Sequence, residues 1–94
     1  MRIIWSSSAK RDLARIIAHI AEDNPIEARR IGQRLLAAPQ ALSRHPFRGR
    51  PGRWQDSREY VLPRLPWFFV YTITSEGISI VRLLHGAQDW PPKG

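Results

Sequence analysis

The sequence predicts an α+β fold, a β-α-α-β-β-β two-layer sandwich in which a helical hairpin packs on one face of a small, mainly antiparallel sheet. Three observations predict it: two nearly contiguous helical patterns, three strand patterns that follow them, and one short strand pattern at the amino terminus. No further element is left to cover the second face of the sheet, so we expect that face to be open. The length of 94 residues favours a single domain over residues 1–94.

The first half of the chain carries one strand and two helices. Residues 1–5 are rich in β-prone side chains and predict a strand. Residues 6–8 are serines that can cap a helix ending near Asp23. Asn24 and Pro25 are a strong signal for a second helix, which Pro39 is expected to interrupt before a last turn near Leu42. Apolar residues recur at spacings of three and four along both helices. These stripes contain Ala9, Leu13, Ile16, Ile17 and Ile20, then Ala28, Ile31, Leu35 and Ala38.

The second half of the chain is predicted to contain a loop and three strands. Residues 46–57 have the composition of a loop. Strands are expected at 58–62, 67–73 and 78–84, and a polar tail follows at 86–94. The alternation of a regular strand puts Ile78, Ile80, Arg82 and Leu84 on one face of the last strand, and Glu59 opposite Arg58 and Tyr60.

Net charge is the strongest feature of the composition. Fifteen Lys and Arg face eight Asp and Glu, a formal charge of +7, and thirteen of the fifteen cations are Arg. Such a balance indicates a polyanionic partner, either nucleic acid or an acidic protein. The chain contains no Cys, which excludes disulfides, Cys nucleophiles and thiolate zinc sites. Because we find no metal-spaced cluster, phosphate-binding glycine loop, signal peptide or membrane span, we expect no metal, no cofactor and a cytoplasmic location.

Five arginines and one carboxylate, Asp56, lie within residues 44–58, so this segment carries more than half of the net charge. Phe47 and Trp54 are interleaved with the arginines, as aromatic side chains are in nucleic-acid grooves. Two interpretations remain open, a solvated basic loop and a binding surface. The candidate anion-binding residues are Arg48, Arg50, Arg53 and Arg58 in this segment, and Arg82 in the last strand.

Arg82 is a cation in an otherwise apolar strand, and an unpaired charge is costly to bury. It must therefore pair with Glu59, Asp56 or a carboxylate of a partner, or point into the open face. Among possible acid–base groups, His19 and His45 have the positions of structural residues, and His85 at the end of the last strand is the more interesting candidate. The residues alone do not identify an enzyme.

From about residue 3 to residue 91 the chain resembles toxins of the RelE/ParE superfamily from bacterial type II toxin–antitoxin systems. The resemblance depends on the order and spacing of short segments rather than on any one of them. These segments are Trp5 with Ala9 and Asp12-Leu13, Asn24-Pro25 with Ala28, Leu42 to Pro46, Gly49-Arg50, Ser57-Arg58-Glu59, Pro66 to Tyr71, and Ile80 to Gly86 with Trp90-Pro91.

The resemblance implies the fold deduced above and one of two activities. ParE-like toxins bind and poison DNA gyrase, whereas RelE-like toxins cut mRNA on the ribosome. Arg58 and Arg82 match phosphate-binding arginines of RelE-like enzymes, and His85 could serve beside them. However, residues 46–57 contain no Lys, and no Tyr follows the last strand. The resemblance is therefore closer to ParE, and we expect a gyrase inhibitor that arrests growth, with the endonuclease and a non-toxic nucleic-acid-binding domain as alternatives.

The resemblance also implies a cognate antitoxin whose acidic carboxyl-terminal segment wraps the toxin in a hetero-oligomer. The charge of +7 suits such a partner. A helical-hairpin groove and an open sheet edge suit helix docking and strand addition. The expected antitoxin-binding residues are those of the apolar helix stripes, namely Leu13, Ile16, Ile17, Ile20, Ile31 and Leu35.

Overall fold

In the computed structural model, which describes residues 1–92, helices pack on one side of a mixed five-stranded sheet. The last two residues of the predicted tail lie outside the described residues. The elements are β1 (Ile3–Trp5), α1 (Ser7–Asp23), α2 (Pro25–Ala37), a 3-10 turn (Ala38–Gln40), α3 (Ala41–Arg44), β2 (Arg50–Pro51), β3 (Arg58–Val61), β4 (Trp67–Thr74) and β5 (Gly77–His85). The predicted α+β class is confirmed, with one more strand than expected.

The helical hairpin begins and turns where the capping residues predicted. Ser6 Oγ accepts a hydrogen bond from the Ala9 N–H at 3.0 Å, and Asn24 Oδ1 accepts one from the Glu27 N–H at 3.0 Å. Both bonds satisfy amides that a helix N-terminus would otherwise leave unpaired. Gly32 lets the helices approach closely, since a Cβ there would lie 2.8 Å from Ile17 Cδ1.

The sheet has the strand order β1-β5-β4-β3-β2. β1 pairs parallel with β5, and the other pairs are antiparallel. β2 was not predicted, because its two residues lie in a segment rich in Gly and Pro, where composition indicates a loop. It pairs with β3 through Arg50 opposite Glu59, and this pairing brings the basic segment onto the sheet.

The main core lies between the helices and the sheet. Its buried residues include Leu35 and Leu42 from the helical side and Phe69, Tyr71 and Ile80 from the sheet. A smaller cluster on the opposite face contains Phe68, Val70 and Leu84, with Val81 and Trp90 packed against it. The two clusters define a helix face and an open face of the sheet.

A register shift corrects the predicted faces of the last strand. Tyr71 pairs with Ile80 but Val70 pairs with Arg82, so Val81 is an extra residue. The alternation of side chains therefore changes after Ile80. Leu83 consequently joins the main core, although the pattern had put it on the other face, and Leu84 joins the open-face cluster.

The open face is partly covered by the tail. Trp90 packs on the open-face cluster, and its ring lies 6.5 Å from that of Trp54. The expectation of an uncovered face was wrong at this point, because an indole in a polar tail is large enough to cover apolar strand residues. Within residues 1–92, no helix combines the length and the apolar character that crossing a membrane requires.

Candidate functional site

A buried carboxylate organises the basic loop. The Glu59 side chain is 1% exposed, while Arg50 and Arg53 are 60% and 49% exposed. Arg50 donates from Nε and Nη2 to Glu59 Oε1, at 3.3 and 3.0 Å. Arg53 donates from its backbone N and its Nε to Oε2, both at 3.1 Å, and from Nη2 to Oε1 at 3.3 Å. Burial alone would raise the pKa of Glu59, but the hydrogen bonds from Arg53 and Arg50 outweigh burial and lower it.

Arg58 and Arg48 have different surroundings. Arg58 donates to the carbonyl oxygens of Gly49 and Phe47, at 2.9 and 3.2 Å, and its Cζ lies 5.2 Å from the Phe47 ring centroid. Arg58 therefore fixes the start of the loop. Arg48 is exposed and forms no ion pair within residues 1–92. It is the predicted anion-binding residue with the greatest freedom to meet a partner.

Arg82 is neutralised by Asp12, which was not among its expected partners. Its Nε and Nη2 donate to Oδ2 and Oδ1 of Asp12 at 2.7 and 3.0 Å, and Asp12 Oδ2 also accepts from the Leu83 N–H at 2.9 Å. The hydrogen bond to Asp12 raises the pKa of Arg82. The expected partners Glu59 and Asp56 were wrong, because Glu59 is occupied by the loop arginines and Asp56 is exposed.

Aromatic rings accompany the arginines of the open face. Arg53 Cζ lies 5.4 Å from the Phe68 ring centroid, and Arg82 Cζ lies 5.7 Å from that of Trp90. Such contacts stabilise a guanidinium without removing its charge. The Trp90 Nε1 is the one buried side-chain nitrogen or oxygen atom among residues 1–92 with no hydrogen-bond partner.

The three residues predicted for a nuclease do not converge. The β4 partners of Arg58 and His85 are Tyr71 and Trp67, four residues apart, which is about 13 Å along the strand. β3 and β5 are separated by β4, so another ~10 Å lies between them across the sheet. His85 is exposed, and its Nδ1 accepts from the Ala87 N–H at 3.0 Å. Arg58 and His85 therefore stand on distant parts of the sheet, and the guanidinium of Arg82 is bound to Asp12.

The predicted antitoxin-binding residues fall into three environments. Ile31 and Leu35 are 7% and 0% exposed and belong to the core of the free toxin, beneath the surface that a partner would contact. Ile16 and Ile20 line a cavity of about 230 Å³ between α1 and β5, together with Trp67 and Leu83. Leu13 and Ile17 line a groove of about 430 Å³ between α1 and α2. We call this second site the hairpin groove, and its other lining residues include Ala21, Ala28, Gly32 and Leu36.

Sequence reasoning missed the residues that hold the site together. Asp12 lies 70 positions from Arg82 and off the apolar stripe of α1, so no local pattern links the two. Leu36 is 59% exposed and lies just beside the apolar stripe, whose spacing includes Leu35 instead. The signal that could have identified Glu59 is its position among apolar strand residues next to four arginines. Within residues 1–92, no group of three His, Asp or Glu side chains could hold a metal ion.

The fold and these two surfaces define a small basic α+β protein with an apolar groove on its helices and a cationic, aromatic face on its sheet. The family model described as the ParE toxin of the type II toxin–antitoxin system parDE matches residues 3–90. The chain belongs to this family, within the RelE/ParE superfamily, and is a type II toxin–antitoxin toxin.

Individual relatives agree with this assignment, and a solved structure has the same fold. The chain is 40% identical over 90 residues to "Putative toxin Y4kP" of Sinorhizobium fredii, covering 96% of this chain and 93% of the relative. It is 30% identical over 87 residues to toxin RelE2 of Caulobacter vibrioides, covering 93% and 97%. The chromosomal ParDE system of P. aeruginosa contains a chain with the same fold, with a TM-score of 0.83 and 24% identity over 90% of this chain and 95% of that one.

Proposed function

We propose that this toxin arrests growth by binding and poisoning DNA gyrase. The observation that supports this most strongly is that Arg58, Arg82 and His85 are held by separate groups at separate points of the sheet. Cutting RNA requires a proton acceptor and a proton donor at one phosphodiester. An arginine remains protonated in proteins and is a poor base. The arrangement therefore suits a binding protein better than an enzyme.

The contact with gyrase is proposed to involve the basic segment and the open face. Arg48, Arg50 and Arg53 are exposed, and the last two are fixed in orientation by Glu59. Preorganised charged groups lose little conformational entropy on binding. In this proposal Arg58 and Arg82 shape the surface, because their guanidinium groups are already occupied. The target implies that the toxin acts in the cytoplasm.

We further propose that an antitoxin with an acidic helical segment occupies the hairpin groove. Leu13, Ile17 and Leu36 supply apolar lining, and Arg29 lines the groove beside them. A long amphipathic helix commonly docks its apolar face in such a groove. The net charge of +7 favours an acidic partner and makes the encounter sensitive to salt. The assembly would be a toxin–antitoxin hetero-oligomer.

The activity is tested by adding the purified toxin separately to gyrase with relaxed plasmid and to programmed ribosomes. The expected result is loss of supercoiling, or accumulation of cleaved plasmid, with intact mRNA. Cleaved mRNA together with normal supercoiling would overturn the proposal in favour of the endonuclease. Absence of both effects from folded protein, with no toxicity on induction, would favour the non-toxic nucleic-acid-binding alternative.

A matched pair of variants connects the activity to the surface. Arg48→Ala removes an exposed charge of the basic segment, and Arg34→Ala removes an exposed charge from α2. Both change the net charge equally. Arg48→Ala is expected to weaken gyrase inhibition about tenfold, the effect of one charge-assisted hydrogen bond, and Arg34→Ala to leave it unchanged. Equal effects would indicate that only the total charge matters.

A further inference from the structure

Four residues of the open face form a row across four strands. Arg50 pairs with Glu59, Glu59 with Val70, and Val70 with Arg82. The backbones of Arg50 and Arg82, at the two ends of this row, are about 14 Å apart, which is three strand spacings. Val70 lies between the two ends, and Phe68 and Leu84 pack beside it in the apolar cluster. The open face thus has an apolar centre, a positive margin at Arg50, and a second margin at Arg82 whose charge Asp12 balances.

Glu59 gives one margin a defined geometry. It binds Arg50 and Arg53 through the Nε and Nη2 atoms of both side chains, so the Nη1 groups take no part in these bonds. Two guanidinium groups and one carboxylate leave a net charge of +1, and both arginines are about half exposed. Guanidinium groups held side by side match the oxygens of a phosphate.

Aromatic surface lies directly next to this margin. Trp54 follows Arg53, is 42% exposed and is the most exposed of the four Trp. The same two arginines, Arg50 and Arg53, also line a cleft of about 230 Å³ together with Leu65, Trp67 and Phe68. An exposed indole beside paired arginines can stack on an unpaired base while the arginines hold the phosphate.

We propose that the open face binds a single-stranded nucleic acid, with a phosphodiester on Arg50 and Arg53, a base stacked on Trp54, and Glu59 as the positioning residue for both arginines. The inference deepens the proposed function, since it names the ligand of the surface that is proposed to face gyrase. A duplex fits less well, because its bases are already stacked on one another. An acidic peptide would use the charges but has no base to stack on the exposed part of Trp54, the side that the Trp90 ring does not cover.

The first experiment measures binding without gyrase. Tryptophan fluorescence of the toxin is titrated with a single-stranded DNA dodecamer, the matching RNA, the DNA duplex and poly-glutamate. Quenching by a single strand, with at least tenfold tighter binding than poly-glutamate, supports the site, and the DNA and RNA arms identify which strand it prefers. Equal affinity for poly-glutamate, or tighter binding of the duplex, would overturn it.

Glu59→Gln gives the more decisive result, because attraction by net charge alone and positioning by Glu59 predict opposite changes in affinity for the strand. The substitution raises the formal net charge by one, so a surface that attracts polyanions only through charge would bind the strand more tightly. Positioning by Glu59 predicts weaker binding, by about tenfold, because Arg50 and Arg53 lose their common anchor. Tighter binding by the folded variant would contradict the proposal.

Two further variants keep the test valid if Glu59→Gln does not fold. Arg53→Ala should reduce the slope of log affinity against log salt by about 0.7, the value for one phosphate contact to a single strand, whereas Arg34→Ala should not change affinity or slope beyond the effect of net charge. Trp54→Ala should weaken binding about five- to hundredfold. Normal affinity in both Arg53→Ala and Trp54→Ala would overturn the site.

The two proposals fail separately. If the toxin binds the single strand but does not inhibit gyrase, the nucleic-acid site stands and the proposed gyrase target is wrong. If the toxin inhibits gyrase but binds none of the oligonucleotides, the gyrase target stands and the nucleic-acid site is wrong.

Discussion

At the residue scale, two buried carboxylates determine the orientation of three arginines. Asp12 and Glu59 are 6% and 2% exposed. A carboxylate that is buried without partners is strongly destabilising, so each must be surrounded by donors. Asp12 accepts hydrogen bonds from Arg82 and from the Leu83 N–H. Glu59 forms ion pairs with Arg50 and Arg53. The positive surface therefore depends on negative residues beneath it.

Glu59 makes stability depend on pH in a defined direction. Its pKa in the folded protein is below the ordinary value, so its contribution is present above about pH 4.3 and is lost as the pH falls through the lower folded pKa. We expect the free energy of unfolding, measured with urea, to fall less steeply below pH 5 in Glu59→Gln than in the wild type. Glu76→Gln, at an exposed turn residue, should follow the wild type. Parallel curves for all three proteins would contradict this assignment.

The ion pair between Asp12 and Arg82 should stabilise the folded protein by more than an exposed ion pair would. Asp12→Ala removes the partner of Arg82 and of the Leu83 amide, and should cost about 2–3 kcal/mol, or roughly 10–20 °C in melting temperature. Asp12→Asn should cost less, because it keeps an acceptor for that amide. A double-mutant cycle with Arg82→Ala should give a coupling energy of about 1–2 kcal/mol. Additive effects would mean that the pair contributes little.

At the element scale, the basic loop is attached to β4 by one tyrosine. The buried Tyr71 hydroxyl donates to the Pro46 carbonyl at 2.7 Å and accepts from the Gly49 N–H at 3.0 Å. These bonds hold the loop next to the sheet before β2 begins. The position of the arginines thus depends on the close approach of Gly49 to an aromatic ring.

Gly49→Ala tests that approach. A Cβ at Gly49 would lie 2.7 Å from Tyr71 Cε1 and 2.8 Å from the Glu59 carbonyl oxygen, and neither atom can move freely. The substitution should cost about 1–3 kcal/mol. Gly86→Ala is the matched control, since its Cβ would lie 3.4 Å from the Pro66 carbonyl oxygen. It should change stability by less than ~0.5 kcal/mol. Equal melting temperatures for the two variants would show that the loop tolerates a side chain at Gly49.

The helices and the three long strands could be predicted because their signals are local. Ser6 and Asn24 cap the helices, and each lies within three residues of the amide that it binds. β2 and the bulge at Val81 were not predictable in this way, because both depend on pairing between strands. Side chains of a regular strand alternate between two faces, and one inserted residue reverses that alternation beyond it. Leu83 and Leu84 therefore lie on the faces opposite to those predicted.

The candidate site was less predictable for the same physical reason. The basic segment could be recognised from composition, but the partner of each arginine could not. Asp12 is distant from Arg82 in sequence, and only the packing of α1 against β5 brings them together. Trp90 reaches the open face because the tail folds back, which a polar sequence did not indicate.

At the scale of the whole molecule, the helical layer separates the two proposed surfaces. The hairpin groove lies between α1 and α2, whose other sides pack on the helix face of the sheet. The paired arginines lie on the open face. The two places lie on opposite sides of the sheet, so substitutions there should act independently. An antitoxin that fills only the groove would leave the arginines accessible, so full neutralisation requires it to continue around the sheet or to block gyrase sterically.

This separation predicts variants with opposite defects. Leu36→Glu introduces a charge into the apolar groove and should weaken antitoxin binding at least tenfold while preserving gyrase inhibition. Ile26→Glu is its control, because Ile26 is 82% exposed and does not line the groove. Arg53→Ala should do the reverse, with normal antitoxin binding and reduced inhibition. Calorimetry with the antitoxin and a supercoiling assay measure the two effects, and loss of both functions in either folded variant would mean that one continuous surface serves both partners.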